Sequence, residues 1–151
     1  MIPKSFNDNW QFFKNPEAAR AAAMGGPQPP CITLPHDAMV HEPRTPDTPS
    51  GAQTGFYPGG QYIYQKRFFA PADWKGCTVA LEFEGVYQTA QVYLNGTLAA
   101  SSVNGYTNFY ADLPTDLLYG AENRIKVLAD NSAVPNSRWY SGTGIYRPVN
   151  L

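Results

Sequence analysis

Charged residues are scarce in this chain, and no basic block occurs anywhere along it. Lys and Arg number 11 and Asp and Glu 12, so charged residues make up only 15% of the 151 residues and the formal net charge is -1. Proteins that bind nucleic acid or an anionic membrane surface by charge carry clustered Lys and Arg. The composition therefore argues against both kinds of partner.

Long apolar runs and cysteines with a metal-binding spacing are missing as well. No stretch is apolar enough to span a bilayer, and residues 1–6 contain no signal-peptide core. Because a leader could have been removed, the bacterial periplasm, secretion and the cytoplasm all stay open as locations. Cys31 and Cys77 are the only cysteines, so we expect two buried free thiols, with one disulfide as the alternative in an oxidising compartment.

Apolar and aromatic residues are plentiful by contrast. Hydrophobic residues make up 43% of the chain and aromatic residues 14%, including ten Tyr. A chain of this length and content can bury a sizeable core, so we expect residues 1–151 to form one folded domain. The aromatic excess suits a β-sandwich and equally suits stacking on sugar rings, and it does not separate the two.

Apolar and polar residues alternate along most of the second half of the chain, with turn residues between the alternating runs. This pattern predicts seven or eight strands and no long helix, which is typical of an all-β antiparallel sandwich. Asn95 and Gly96 form the strongest short hairpin motif. Residues 16–24 begin with Pro and contain an alanine run, which predicts a surface turn of helix or a mobile loop. The strands are expected at 6–14, 61–70, 77–83, 86–94, 98–103, 106–113, 122–129 and 145–149.

A long loop at residues 41–60 is the least regular part of the sequence. It holds four Pro and four Gly in twenty positions and has almost no apolar periodicity. A loop of that length inside a compact domain is either disordered or functional. Gly55, Gly59 and Gly60 do not form a phosphate-binding loop, because neither a Lys-Ser pair nor a helix follows them.

The segment 136–151 (NSRWYSGTGIYRPVNL) concentrates aromatic, cationic and glycine residues. Trp139 and Tyr140 offer flat apolar faces with a polar edge, and Arg138 offers a forked donor, which are the groups that hold a sugar ring. Gly142 and Gly144 allow a sharp bend before the apolar strand that follows. The alternative is a hairpin corner packed with aromatic side chains.

No self-contained active site is visible among the acidic and histidine residues. Glu82 and Glu84 alternate on one strand about 6.5 Å apart, wider than the about 5–5.5 Å of retaining glycosidases, so we expect a solvated strand face. His36 and Asp37 are adjacent and lack a nucleophile motif, so we expect Asp37 to accept backbone N–H bonds. His36 and His41 make a poor metal site, and no metal or other cofactor is predicted.

Five motifs stand in a characteristic order: 83–96 (FEGVYQTAQVYLNG), 105–109 (GYTNF), 123–127 (NRIKV), 130–131 (DN) and 137–147 (SRWYSGTGIYR). In that order they resemble the N-terminal sugar-binding jelly-roll domain of family 2 glycoside hydrolases, most closely the bacterial β-galactosidase type. Residues 34–37 (LPHD) are also similar to that family, although Ala38 stands where a Trp usually follows. The resemblance covers nearly the whole chain and is weakest at 16–30 and 41–53.

The resemblance implies an all-β jelly roll of the galactose-binding-domain-like class, and a larger parent enzyme. In that family an immunoglobulin-like domain and a (β/α)8 barrel follow, and the barrel carries both catalytic glutamates for retaining hydrolysis of terminal β-linked sugars. The chain is then an N-terminal fragment, inactive alone, whose partners are a carbohydrate and the following domains. The sugar, whether a galactoside, a glucuronide or a mannoside, stays open. An apolar face left bare by the missing domains would favour dimers.

The resemblance also implies which residues face the substrate or the barrel. In the family, the loop before the second strand and the loop before the final strand lean over the barrel mouth. Arg138 would donate to sugar hydroxyls or pair with an acid of the next domain, and Trp139 and Tyr140 would form a wall. Two other readings stay open: a free-standing carbohydrate-binding module, and a structural brace that touches no sugar. The candidate residues are Asn136, Arg138, Trp139, Tyr140, Gly55, Phe56 and Tyr57.

Overall fold

The computed structural model describes residues 3–49, 51–133 and 142–151. These ranges contain nine strands, one α-helix and two short 3-10 helices at Gly51–Thr54 and Ala72–Trp74. The α-helix is α1 (Pro16–Ala23). The strands are β1 (Trp10–Phe13), β2 (Cys31–Ile32), β3 (Gln61–Ala70), β4 (Ala80–Phe83), β5 (Thr89–Leu94), β6 (Thr97–Ser102), β7 (Phe109–Asp112), β8 (Ala121–Asp130) and β9 (Val149–Asn150).

The strands form two antiparallel sheets. The larger has the order β2-β1-β3-β8-β5-β6, and the smaller has the order β7-β4-β9. Strands β3 and β8 pair over their full length, from Gln61 opposite Asp130 to Ala70 opposite Ala121. The predicted all-β antiparallel sandwich is confirmed.

The core lies between the two sheets and follows the period-two alternation of the strands. In β8 the side chains of Ile125, Val127 and Ala129 are fully buried, while their neighbours along the strand are partly or wholly exposed. Leu81 and Phe83 of β4 face them from the smaller sheet. Burial of each of the larger side chains, those of Ile, Val, Leu and Phe, contributes about 1.5–3 kcal/mol through the apolar surface removed from water.

Helix α1 forms although its eight residues are too few for stability in isolation. The Asn15 side chain caps it by accepting a hydrogen bond from Ala18 N at 2.8 Å. Ala19 and Ala22 are buried in a small cluster with Phe13 and Ile63 on the outer face of the larger sheet. Tertiary burial therefore stabilises the predicted surface turn of helix. No helix in the described ranges has the length and apolarity needed to cross a bilayer.

The prediction of a last strand at 145–149 is wrong, since β9 comprises only Val149 and Asn150. Pro148 has no N–H to give to a strand ladder, although its carbonyl accepts from Glu84 N at 3.1 Å. The N–H of Val149 donates to the Asn7 side chain at 2.8 Å instead of to a strand. The backbone of this segment thus makes separate hydrogen bonds with His36, Glu84 and the Asn7 side chain and forms a ladder only at its end.

The prediction of buried thiols is also wrong. Cys31 and Cys77 are free, as expected, but both are exposed. Cys31 lies on β2, the first strand in the order of the larger sheet as the described residues form it. Cys77 follows the second 3-10 helix and precedes β4, in a turn at the surface.

Candidate functional site

Two loops singled out from the sequence are anchored at one corner of the sandwich. Asn131, directly after β8, donates its backbone N–H to Gly60 O at 2.8 Å, where loop 41–60 ends. Its side-chain Nδ2 lies 3.8 Å from Sδ of Met39, where that loop begins. The same Nδ2 donates to Thr143 Oγ1 at 2.7 Å. Asn131 and Thr143 stand on either side of residues 134–141, so one side chain joins the bases of both loops.

Asp37 completes this arrangement, which we call the corner anchor: Asp37, Met39, Asn131 and Thr143. The carboxylate Oδ1 of Asp37 accepts from Met39 N at 2.9 Å and from Thr143 N at 3.2 Å. The prediction that Asp37 accepts backbone N–H bonds is confirmed. This carboxylate is used to hold backbone together across the domain, not to orient a catalytic histidine.

Asn131 and Thr143 of the corner anchor are buried and hydrogen-bonded, whereas Asp37 is partly exposed. Asn131 is 3% exposed and Thr143 is 0% exposed. The Thr143 hydroxyl donates to Gly142 O at 2.7 Å while it accepts from Asn131. Buried polar groups are tolerated when every donor and acceptor is paired. Sequence reasoning placed Asn131 in a motif and Thr143 between two glycines, but it assigned neither of them this role.

Loop 41–60 is braced across its two arms. Thr45 N donates to Phe56 O at 3.0 Å, and Arg44 Nε donates to Gly55 O at 2.8 Å. The Arg44 guanidinium carbon lies 5.6 Å from the centre of the Tyr57 ring. Gly55 and Phe56 both have a φ of 64°, and Phe56 stays 37% exposed. The loop therefore presents an aromatic ring to solvent beside a cation.

The seven candidate residues fall into two groups. Gly55, Phe56 and Tyr57 lie together in the braced loop, next to Arg44. The other candidates lie outside the described residues: Asn136, Arg138, Trp139 and Tyr140. An open pocket of about 300 Å³ beside Phe56 is lined by Arg44, Thr45 and Pro46.

The acidic pair on β4 is engaged in surface hydrogen bonds. Glu82 Oε1 accepts from Tyr110 Oη at 2.9 Å and from Asn108 Nδ2 at 3.0 Å. Glu84 accepts from Asn150 Nδ2 at 3.0 Å. The bonds from Tyr110 and Asn108 lower the pKa of Glu82, whereas a general acid needs a raised pKa. Both glutamates are partly exposed, which confirms the expected solvated strand face.

His36 packs into an aromatic wall rather than facing Asp37. Its Nδ1 is 2.8 Å from Tyr64 Oη, and its ring centre is 4.6 Å from that of Phe12. Burial raises the pKa of Tyr62 to about 12, with smaller contributions from Glu42 and Asp37. Within the described ranges, no group of three or more His, Cys, Asp or Glu is placed to hold a metal ion.

Protonation of His36 is expected to destabilise the fold. Burial, followed by His41, lowers the pKa of His36, against the raising effect of Asp37. The unfolded chain therefore binds the proton first, so the free energy of unfolding should fall as the pH drops below about 6.5. In the tautomer that carries its proton on Nε2, Nδ1 accepts from Tyr64 Oη, and protonation removes this acceptor. Urea unfolding at pH 7.5 and 5.5 should show that the free energy of unfolding falls more in the parent than in His36→Gln. An equal fall in both proteins would contradict this prediction.

Comparison with known proteins matches the chain to parts of larger enzymes. A family model described as glycosyl hydrolase 2 galactose-binding domain-like matches residues 31–140. The chain is 36% identical over 148 residues to the beta-galactosidase BoGH2A of Bacteroides ovatus, covering 97% of this chain and 17% of that protein. It is 34% identical over 166 residues to a beta-glucuronidase of Formosa agariphila, covering 97% of this chain and 16% of that protein.

The solved structures agree with these matches. A beta-glycosidase from Bacteroides vulgatus superposes with a TM-score of 0.86 at 32% identity, covering 99% of this chain and 20% of that one. A member of glycosyl hydrolase family 2 from Bacteroides cellulosilyticus gives a TM-score of 0.85 at 30% identity, covering 99% of this chain and 20% of that one. The chain spans about a sixth of the length of the two curated relatives named above.

Proposed function

Because this chain belongs to the galactose-binding-like domains of family 2 glycoside hydrolases, we propose that it is the accessory N-terminal domain of a larger hydrolase of terminal β-linked sugars. The family match confirms the resemblance inferred from the five motifs. The named relatives include both beta-galactosidases and beta-glucuronidases, and this chain corresponds to a small part of each. The parent's sugar is a galactoside or a glucuronide on this proposal.

The observation that carries the proposal is the corner anchor. Asn131 contacts Met39 and Gly60 at the two ends of loop 41–60, and it also bonds Thr143, which follows residues 134–141. These contacts support the proposal that side chains from both segments act on the same neighbour. From the first loop these are Gly55, Phe56 and Tyr57. From the second they are Asn136, Arg138, Trp139 and Tyr140. We propose that these two sets line the edge of the substrate cleft of the following barrel.

The carboxyl groups among the described residues also support the proposal that another domain of the parent enzyme catalyses the hydrolysis. Retaining hydrolysis needs two carboxyl groups about 5–5.5 Å apart, one of them with a raised pKa. Glu82 has a lowered pKa, and Asp37 is held by backbone donors. Burial raises the pKa of Asp130, but hydrogen bonds from Ser132 and Gln61 outweigh it and leave that pKa lowered.

Self-association of the isolated chain remains a prediction. Large apolar side chains that lie exposed would form part of the surface that the following domains cover in the parent. Sedimentation of the chain at increasing concentration would detect dimers. The exposed apolar side chains include Met24, Val40, Phe69, Leu98, Val103 and Leu118.

A loop substitution in the full reading frame tests whether the domain contributes to substrate binding. In the complete enzyme, Phe56→Ala should raise KM for a chromogenic β-glycoside about fivefold and change kcat less. Loss of one ring contact is worth about 1 kcal/mol, which corresponds to that factor. Phe56 is 37% exposed, so its removal should leave the fold intact, as a thermal melt will check.

The matched control is Phe69→Ala, which removes an aromatic ring that is 62% exposed on β3 of the larger sheet. This variant should leave both kinetic constants within twofold of the parent. An unchanged KM in Phe56→Ala as well would contradict the proposed role and leave the domain as a structural brace.

A further inference from the structure

The open pocket beside Phe56 has the composition of a binding site for an anionic sugar. Its volume of about 300 Å³ lies at the small end of the range of about 300–1,000 Å³ for ligand pockets. The lining residues among those that the structure describes are Arg44, Thr45, Pro46 and Phe56, and they belong to loop 41–60. The pocket is therefore present in this chain without help from another domain.

Arg44 is held in a fixed orientation. Its Nε donates to Gly55 O at 2.8 Å, and its guanidinium lies over the Tyr57 ring. These two contacts use one N–H and one face of the planar group, and they leave the terminal nitrogens for another partner. A guanidinium fixed in this way binds a carboxylate through two parallel hydrogen bonds.

No acidic side chain neutralises Arg44 in the part of the chain that the structure describes. The ion pairs found there are Lys14 with Glu42 and Arg67 with Glu122. The cation of Arg44 therefore stays exposed at the pocket wall. An anionic group of a ligand would pair with this guanidinium.

Phe56 provides a second, apolar contact on the same pocket. Its backbone has a φ of 64°, and its carbonyl accepts from Thr45 N at 3.0 Å. This hydrogen bond closes the loop and keeps the 37% exposed side chain beside Arg44. A sugar ring has an apolar face for such an aromatic ring, while its substituents reach polar groups at the rim.

We propose that this pocket binds a uronic acid residue of a glycan, with the carboxylate on Arg44 and the sugar face against Phe56. The inference rests on the proposed function in that it names the class of sugar that the first loop recognises. A neutral hexose lacks the carboxylate and so forfeits the charge-assisted bonds to Arg44.

Titration of the 151-residue chain followed by amide NMR tests this directly. Methyl β-D-glucuronide should shift the amides of Thr45, Gly55 and Phe56, with a Kd on the order of millimolar, as fits an open site with one ion pair. Methyl β-D-glucoside, which differs only in the carboxylate, should bind at least about tenfold more weakly.

Arg44→Gln should abolish the glucuronide shifts, whereas Arg20→Gln, which removes an exposed arginine on α1, should leave them unchanged. Equal binding of the two sugars, no shift at tens of millimolar glucuronide, or full binding by Arg44→Gln would each overturn the inference.

The two proposals fail separately. Hydrolysis by the full reading frame together with a raised KM in Phe56→Ala, but without glucuronide shifts, would remove only the uronic acid site. Clear glucuronide binding with no hydrolysis by the full product would instead leave a carbohydrate-binding module.

Discussion

Replacing Gly144 with alanine is expected to unfold the domain under conditions in which the parent is stable. Gly144 has a φ of 104°, and an added Cβ would overlap the hydroxyl of Tyr64. Tyr64 is fully buried and bonded to His36, so it has nowhere to move. Backbone strain costs about 1–3 kcal/mol and the overlap about 1–3 kcal/mol or more. Their sum of about 2–6 kcal/mol is a large share of the about 5–15 kcal/mol that stabilises an ordinary domain.

Gly76→Ala separates the two causes. Gly76 has a φ of 92°, and nothing lies within 4 Å of its added Cβ, so only the backbone strain applies. Urea unfolding, monitored by circular dichroism, should give a much higher free energy of unfolding for Gly76→Ala than for Gly144→Ala. The double variant Gly144→Ala with Tyr64→Phe should recover part of the loss, because the overlapping oxygen is gone. If both alanine variants lost the same free energy of unfolding, the overlap of the added Cβ with Tyr64 would not contribute, and the prediction would be wrong.

Asn131→Ala is expected to lower the free energy of unfolding by roughly 2–4 kcal/mol. The change removes the donor to Thr143 Oγ1 and the contact with Met39 inside a buried site. It also leaves a small cavity, which adds to the cost. Because Asn131 joins the bases of both loops, amide hydrogen exchange should speed up at Met39 and Thr143 more than in the centre of β8.

Asn104→Ala is the matched control. Asn104 is exposed, and its side chain accepts from Tyr106 N at 2.9 Å in a surface turn. Its replacement should therefore lower the free energy of unfolding by no more than about 0.5–1 kcal/mol. If Asn131→Ala were no more costly than this control, the corner anchor would not hold the two loops.

The long strands could be predicted from the sequence because alternation is a local pattern. The expected strand at 61–70 coincides with β3, and the expected strand at 122–129 falls within β8. The limits of the short strand β9 could not be predicted, since they depend on hydrogen bonds with two residues far away in sequence. The Asn7 side chain accepts from Val149 N, and Glu84 N donates to Pro148 O. Helix α1 likewise depends on burial against Phe13 and Ile63, which composition alone does not reveal.

The candidate site was predictable only where its chemistry is local. Asp37 was expected to accept backbone N–H bonds, and Met39, one of the residues that donate to it, is two positions away. The contact of Asn131 with Met39 joins residues that are far apart in the chain, and no spacing pattern indicates it. The role of Arg44 could not be predicted from the sequence, because Gly55 and Tyr57 become its neighbours only when the loop folds back.

The most direct test of the central claim is a turnover assay on the 151-residue chain alone. Chromogenic β-galactosides and β-glucuronides should show no hydrolysis above the buffer rate, because the proposed function assigns the catalytic carboxylates to another domain of the parent enzyme. Turnover at an ordinary enzymatic rate, about 1 per second or more, by the purified and folded chain would contradict this account.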